Sequence, residues 1–343
     1  MDTSVIALVC AEQQPDISEE LAFAERELLR DLSAYPVRYA AGPGKGLIAK
    51  ARHAIDALAI PDDVTVLVLA HGALLLAPRS MAAAIAWVGS KRGLGVIPDL
   101  RVPALNPVPD YLTLRGFEDY AERLSATKSM PRPPHDFEPL AFACQAGLLR
   151  HVSDPFPRMA EFISGAFAHD FGGYHQSDRH EMLQWLPADC RTVLDVGGGE
   201  GRFLKQVKAQ RGCETHLSEY AEHACRIARK HVDHVWQGDF LATDFGQRFD
   251  CISFLDVLEH AANPLLWLEK AHTVLCPKGS IVLSIPNVGH WSVITDLLAG
   301  RWDYAPIGIH CVTHLRFFTR RGFERLLDEA GFHCEMIEPV VMP

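Results

Sequence analysis

The sequence predicts two α/β domains in tandem, the second built on an open, mostly parallel sheet. Three observations carry this. Short apolar runs rich in β-branched residues alternate with helical patterns along most of the chain. Residues 64–69 form one continuous Val/Leu/Thr run of the kind a strand needs when both of its faces are buried. Residues 192–196, Thr-Val-Leu-Asp-Val, run straight into Gly197-Gly198-Gly199-Glu200-Gly201 and then into a helical pattern. That is a strand, a tight turn and a helix in immediate succession.

The 343 residues exceed one typical domain and suit two. Hydrophobic residues make up 48% and charged residues 22%, which suits folded cores rather than disorder. The formal net charge of −10 argues against nucleic acid as the main partner, because phosphate binding needs a basic face. No basic run followed by an apolar stretch and a small-residue cleavage site opens the chain, so no secretory leader is expected. The longest apolar stretch, residues 64–77, contains His71 and Gly72 and is too short to span a bilayer as a helix. The nine cysteines are scattered without a Cys-x-x-Cys pair, which suits reduced thiols and a cytoplasmic location.

In chain order, residues 5–10 read as a strand and 17–32 as a helix. Residues 42–46 form a Gly-Pro-Gly-Lys-Gly loop, 47–58 a helix, 64–69 a strand and 95–97 another, with a helix beginning at Pro78. Pro131-Arg132-Pro133-Pro134 is a stiff break, and residues 137–152 are structured again. Ser153-Asp154-Pro155-Phe156-Pro157 marks the domain boundary. The expected division is therefore 1–155 for the first α/β domain, 156–190 for a helical lead-in and 191–343 for the second domain.

Glycine at 197, 199 and 201 permits a tight turn and lets a ligand approach backbone that carries no β-carbon. A glycine loop alone also serves dinucleotide sites, but the spacing here is G-x-G-x-G, not G-x-G-x-x-G, and no G-K-[ST] follows. The second strand, residues 214–218, delivers Glu219, a carboxylate placed to accept both hydroxyls of a ribose. Residues 235–240 read as a strand ending in Gly238-Asp239, suited to an adenine. Residues 249–255 form the next strand and bring Asp256-Val257-Leu258-Glu259-His260 to the carboxyl edge of the sheet, where ligands of open α/β folds bind.

VLDVGGGEG, SEYAEHACRIAR, WQGDF and FDCISFLDVLEHAANP, in that order, resemble the successive motifs of class I S-adenosylmethionine-dependent methyltransferases. LCPKGSIVLSIPNVGHW, GRWDY and THLRFFT resemble the branch that holds MetW-like proteins and the methyltransferase halves of bifunctional glycosyltransferase–methyltransferases. The resemblance covers about residues 170–335. It implies a Rossmann-like domain with a mostly parallel seven-stranded sheet, S-adenosylmethionine as cofactor, and transfer to oxygen or nitrogen of a small-molecule or carbohydrate-type acceptor. It further implies that Asp195, Gly197, Gly199 and Gly201 form the cofactor loop. Glu219 would take the ribose, Asp239 the adenine and Asp256 the methionine side, and Tyr174 would close over the cofactor.

Methyl transfer is an in-line displacement from a sulfonium, so the protein mainly supplies alignment and a dry site. An acceptor hydroxyl or amine also calls for a base near neutrality. His260 and His290 are the candidate bases, and Asn287, His310 and His314 the candidate substrate contacts. The family pattern Gly-Ile-Leu-Asp before THLRFFT is Gly308-Ile309-His310-Cys311 here, so an acidic position has become cysteine. His310, Cys311 and His314 are metal-ligand types, but the segment reads as a strand in which His310 and His314 need not act together, and no metal is expected. Arg316-Phe317-Phe318-Thr319-Arg320-Arg321 resembles a nucleic-acid patch, yet the net acidity favours an ordinary strand and helix start.

The amino-terminal segment resembles a shortened GT-A glycosyltransferase nucleotide domain. The resemblance implies a metal-binding carboxylate pair after the central strand. Ala70, His71 and Gly72 stand there, so the domain reads as a non-catalytic relative serving substrate recognition, contact between copies of the chain, or a lid. Two other readings remain at this stage: a cofactor-binding accessory protein without turnover, and a bifunctional sugar-transfer enzyme.

Overall fold

A computed structural model of the chain describes residues 4–11, 26, 32–41, 46–70, 73–75, 80–91, 93–99, 132–133, 137–151, 160–170, 178–305 and 308–339. Contacts divide the chain into two compact units, Met1–Gly172 with Trp302–Val312, and Gly173–Arg301 with Thr313–Pro343. The first unit thus extends past the break at residues 153–157.

In the first unit β1 (Val5–Ala11), β2 (Val37–Ala41), β3 (Thr65–Ala70), β5 (Leu94–Ile97), β6 (Ala141–Gln145) and β7 (Ala160–Phe162) form one sheet in the order β2-β1-β3-β6-β5-β7. The pairings are parallel except for β6, which runs antiparallel to both β3 and β5. Val66 to Leu69 of β3 are all fully or nearly fully buried, as their unbroken apolar run requires. Helix α1 (Leu47–Ala57) buries Leu47, Ile48, Ala51, Ala54 and Ile55, a stripe of one helical face. Helix α2 (Ser80–Ser90) and the short α3 (Ala146–His151) complete the layer, and β4 (Ala73–Leu75) pairs separately with β8 (Ala168–Asp170). The helix expected over residues 17–32 falls largely outside the described residues.

The second unit is a five-stranded, all-parallel sheet in the order β11-β10-β9-β12-β13. Its strands are β9 (Thr192–Val196), β10 (Glu214–Glu219), β11 (His234–Gln237), β12 (Phe249–Leu255) and β13 (Leu275–Ser284). Alternate residues of the central strands face opposite cores: Leu194, Ile252 and Phe254 join one cluster, Val193 and Cys251 the other. The first is covered by α6 (Pro264–Val274) and α8 (Arg320–Glu329), through Leu268, Ala271, Phe323 and Leu327. The second is covered by α4 (Arg202–Arg211) and α5 (Glu222–Ala228), through Phe203, Leu204, Val207 and Ala228. This is a Rossmann-like, doubly wound α/β fold, with the chain reversing direction along the sheet at β9. The carboxyl ends of β9 and its neighbours are where such folds bind ligands.

Several details differ from the sequence expectation. Five strands rather than seven belong to this sheet among the described residues. Residues 313–319 are not a strand: the N–H groups of Leu315 and Arg316 both donate to Glu259 O, at 2.8 and 2.9 Å, so that backbone pairs with a loop and keeps only one isolated bridge, Phe318 to Asn287. Where it is described, the lead-in over 156–190 is helical only over one short 3-10 segment. It contains β7, β8 and one 3-10 segment, His180–Trp185, because Ala160 to Phe162 join the first sheet. After β13 the chain forms helix α7 (Trp291–Leu298), capped by His290. Among the described residues no helix is long and apolar enough to cross a membrane.

Candidate active site

The glycine loop leaves β9 in left-handed backbone. Gly197, Gly199 and Gly201 have φ of 70°, 56° and 72°, a region costly for residues with a β-carbon. Space forbids side chains as well. A β-carbon on Gly197 would lie 2.9 Å from Val257, and one on Gly201 2.7 Å from Val232. On Gly198 it would meet Asp195 Oδ2 at 2.1 Å, so the Asp195 carboxylate sits directly beneath the loop.

Asp195 is 1% exposed and accepts a hydrogen bond from Ser253 Oγ at 2.6 Å. Burial pushes its pKa up to about 7; the neighbouring Glu219 charge adds to this, while the Ser253 hydroxyl opposes it. Glu219 ends β10, buried. Its Oε2 accepts from Gly199 N at 2.9 Å and its Oε1 from Ala221 N at 2.7 Å. The backbone of two successive βα turns thereby fixes one carboxylate against the glycine loop.

Asp239 follows β11 after Gly238. It is exposed, and its Oδ1 accepts from Leu241 N at 3.0 Å. Asp256 follows β12 in left-handed backbone, φ 56°, accepts from Ser284 Oγ at 2.9 Å, and pairs with Arg179. Arg179 is itself left-handed, φ 43°, and also binds Glu181 at 2.6 Å. Tyr174 lies outside the described residues.

The two candidate bases are held differently. His290 caps α7: its Nδ1 accepts from Ser292 N at 3.3 Å and sits 2.8 Å from Ser292 Oγ. An accepting Nδ1 carries no proton, so the neutral ring carries it on Nε2 and presents a donor there, not a base. His260 Nδ1 lies 3.2 Å from the carbonyl of Thr313, which can only accept, so its proton is on Nδ1 and Nε2 is the nitrogen that carries the lone pair. The His314 ring meets that of His260 edge-on, centroids 4.8 Å apart, with His314 Nε2 3.9 Å from Glu259 Oε1. Asn287 is exposed and uses its Oδ1 on Gly289 N at 2.8 Å. His310, fully buried, packs its ring 4.2 Å from that of Trp302 within the Trp302–Val312 segment.

The structure therefore brings Asp195, the three glycines and Glu219 together, and separately joins His260 to His314. Sequence reasoning missed Glu259, Arg179 and Ser253. Glu259 stood inside the quoted DVLEH motif, and its burial was the unread signal: it is 1% exposed, and burial, with the Asp256 charge adding, pushes its pKa well above the usual carboxylate range. Arg179 had no sequence signal, since its partner lies 77 residues away. Among the described residues, two groups of three metal-ligand residue types have their ligand atoms within 4.8 Å of one another, Glu259–His260–His314 and Glu214–His216–His234; neither includes His310 or Cys311.

A family profile described as "Methyltransferase domain" matches residues 148–336. The ubiquinone biosynthesis O-methyltransferase of Cereibacter sphaeroides is 28% identical over 159 residues, covering 43% of this chain and 62% of that protein. The enzyme of the same name from Coxiella burnetii is 29% identical over 167 residues, covering 44% and 70%. The chain thus spans 62% and 70% of the length of these two relatives. Among solved structures, a SAM-dependent methyltransferase from Archaeoglobus fulgidus aligns at 19% identity with a TM-score of 0.38, covering 48% of this chain and 73% of that one.

Proposed function

The chain belongs to the methyltransferase-domain family, with S-adenosylmethionine as cofactor, and we propose that it transfers the methyl group to an oxygen of a small-molecule or carbohydrate-type acceptor. The observation that carries this reading is Glu219. An ionised carboxylate has about four lone-pair sites. The backbone of Gly199 and Ala221 takes one on each oxygen, leaving one on each for the two ribose hydroxyls. The glycine loop then offers close backbone approach for the rest of the nucleoside, Asp239 lies at the adenine end, and Asp256 with Arg179 lies toward the methionine part.

The acceptor is met between the carboxyl ends of β12 and β13, where His260 and Asn287 stand. The cofactor occupies the loops after β9 and β10, so its methyl group points toward the later strands. His260 activates the acceptor through its Nε2 lone pair, while His290 serves as a helix cap. Oxygen is favoured because the relatives are named O-methyltransferases. Transfer of labelled methyl from S-adenosylmethionine to a panel of phenolic, catecholic and sugar hydroxyls tests the reading; cofactor binding without transfer to any acceptor would favour the accessory-protein alternative.

For the first unit we propose a GT-A-like domain that has lost sugar transfer and recognises the acceptor. Support comes from the segment after β3, where Ala70-His71-Gly72 supplies no carboxylate pair. Manganese-dependent binding of a sugar nucleotide to the full chain would overturn it.

A further inference from the structure

Glu259 is 1% exposed, and neither of its carboxylate oxygens accepts a hydrogen bond among the described residues. A buried carboxylate in that condition is costly unless a proton or a cation compensates it. Two imidazoles surround it. One potential ligand atom from each of Glu259, His260 and His314 falls within 4.8 Å of the others, and Glu259 Oε1 is 3.9 Å from His314 Nε2. His260 gives its Nδ1 proton to the Thr313 carbonyl, so Nε2 is the nitrogen with the lone pair, and a hydrogen bond of this kind orients metal-binding histidines. The backbone holds the group together before any ion arrives, since Leu315 N and Arg316 N both donate to Glu259 O and so tie the His314 loop to the Glu259 loop.

We propose that Glu259, His260 and His314 form a binding site for one divalent cation of the zinc, cobalt or manganese class, open on the acceptor side. Two imidazoles and a carboxylate suit such ions and leave coordination positions vacant. Donors each about 2.0–2.2 Å from a single ion lie no more than ~4.4 Å apart, so the group closes by only a few tenths of an ångström on binding. The proposal rests on the acceptor-side reading above and says how His260 activates the acceptor. An acceptor hydroxyl on the ion ionises more readily and its proton leaves to water; the oxygen then bonds to the methyl carbon as the carbon–sulfur bond breaks, and S-adenosylhomocysteine departs with the sulfur electron pair.

The second cluster is the natural competitor. Glu214 Oε1 is already hydrogen-bonded to His234 at 2.9 Å, and Glu214 and His234 are exposed, so it has no stranded carboxylate to compensate. The full-length protein, stripped with a chelator, is titrated with cobalt(II) by calorimetry and visible absorption. One saturable equivalent is expected, weakened at least tenfold by Glu259→Gln and by His314→Ala and unchanged by His234→Ala. X-ray absorption of the zinc-loaded wild type, which needs no variant to fold, should report two imidazole nitrogens. Absence of a saturable equivalent, loss of it in His234→Ala alone, or a zinc shell without two imidazoles would overturn the site. Binding is read without turnover, so its failure leaves the methyltransferase reading standing, whereas failure of methyl transfer by the metal-loaded protein with all acceptors counts against that reading instead.

Discussion

On the β9–β10 side of the second unit, the groups proposed to hold the cofactor are fixed by backbone: three glycines in left-handed conformation and a Glu219 carboxylate gripped by two N–H groups. On the β12–β13 side, the groups proposed to meet the acceptor are fixed by contacts between distant segments. His260 rests on Thr313, and Glu259 receives the backbone of Leu315 and Arg316. A nucleoside shared by many enzymes is met by geometry that a short local sequence can specify. An acceptor peculiar to one enzyme is met by side chains that a variable connection can reposition without disturbing the sheet.

This contrast is open to tests that separate its two sides. The largest expected effect is on the acceptor side: His260→Ala should lower turnover by about 10²–10⁴-fold while cofactor affinity in calorimetry stays within a factor of two or so. Loss of both would mean that the two sides are not separable. Next, Gly201→Ala places a β-carbon at φ 72° and 2.7 Å from Val232. It should reduce unfolding free energy by about 1–3 kcal/mol in urea melts; an unchanged melt would show that the loop backbone is free to relax.

A titration should sharpen the cofactor side further. Asp195 has a folded-state pKa raised from 3.8 to about 7. The stability tied to its proton is therefore fully present below pH 3.8 and is lost as the pH rises through about 7. Asp195→Asn should flatten the fall in stability across that window, leaving the part due to Glu259, whose pKa burial raises in the same direction. A slope identical to wild type would contradict the buried, protonating carboxylate. The smallest effect belongs to His290→Ala. It removes a helix cap and should cost about 0.5–2 kcal/mol of stability, with turnover nearly unchanged; a turnover loss like that of His260→Ala would restore His290 as a base.

The same contrast explains what could be read in the sequence. The strands at residues 192–196 and 249–255 coincide with β9 and β12 to the residue, because their apolar runs end abruptly at Gly197 and at Asp256. The glycine loop and Glu219 were legible since spacing along one βα turn is local information. The irregular path of residues 313–319 was not, since its hydrogen bonds go to Glu259, more than fifty residues earlier, and override the β-propensity of Phe317 and Phe318. Nor was the capping role of His290, because a histidine cap leaves no pattern that separates it from a catalytic histidine. Asp256 was legible as a residue at the strand end, but its Arg179 partner was not, because nothing near residue 179 points to a carboxylate 77 residues away.

The central claim is that one carboxylate, held by the glycine-loop backbone, governs cofactor binding. Calorimetric titration of the full-length protein with S-adenosylmethionine, wild type against Glu219→Ala, addresses it most directly. Charge-assisted hydrogen bonds to two hydroxyls contribute about 1.5–3 kcal/mol, so the variant should bind at least tenfold more weakly while remaining folded by circular dichroism. A folded Glu219→Ala protein with the wild-type dissociation constant would contradict the account.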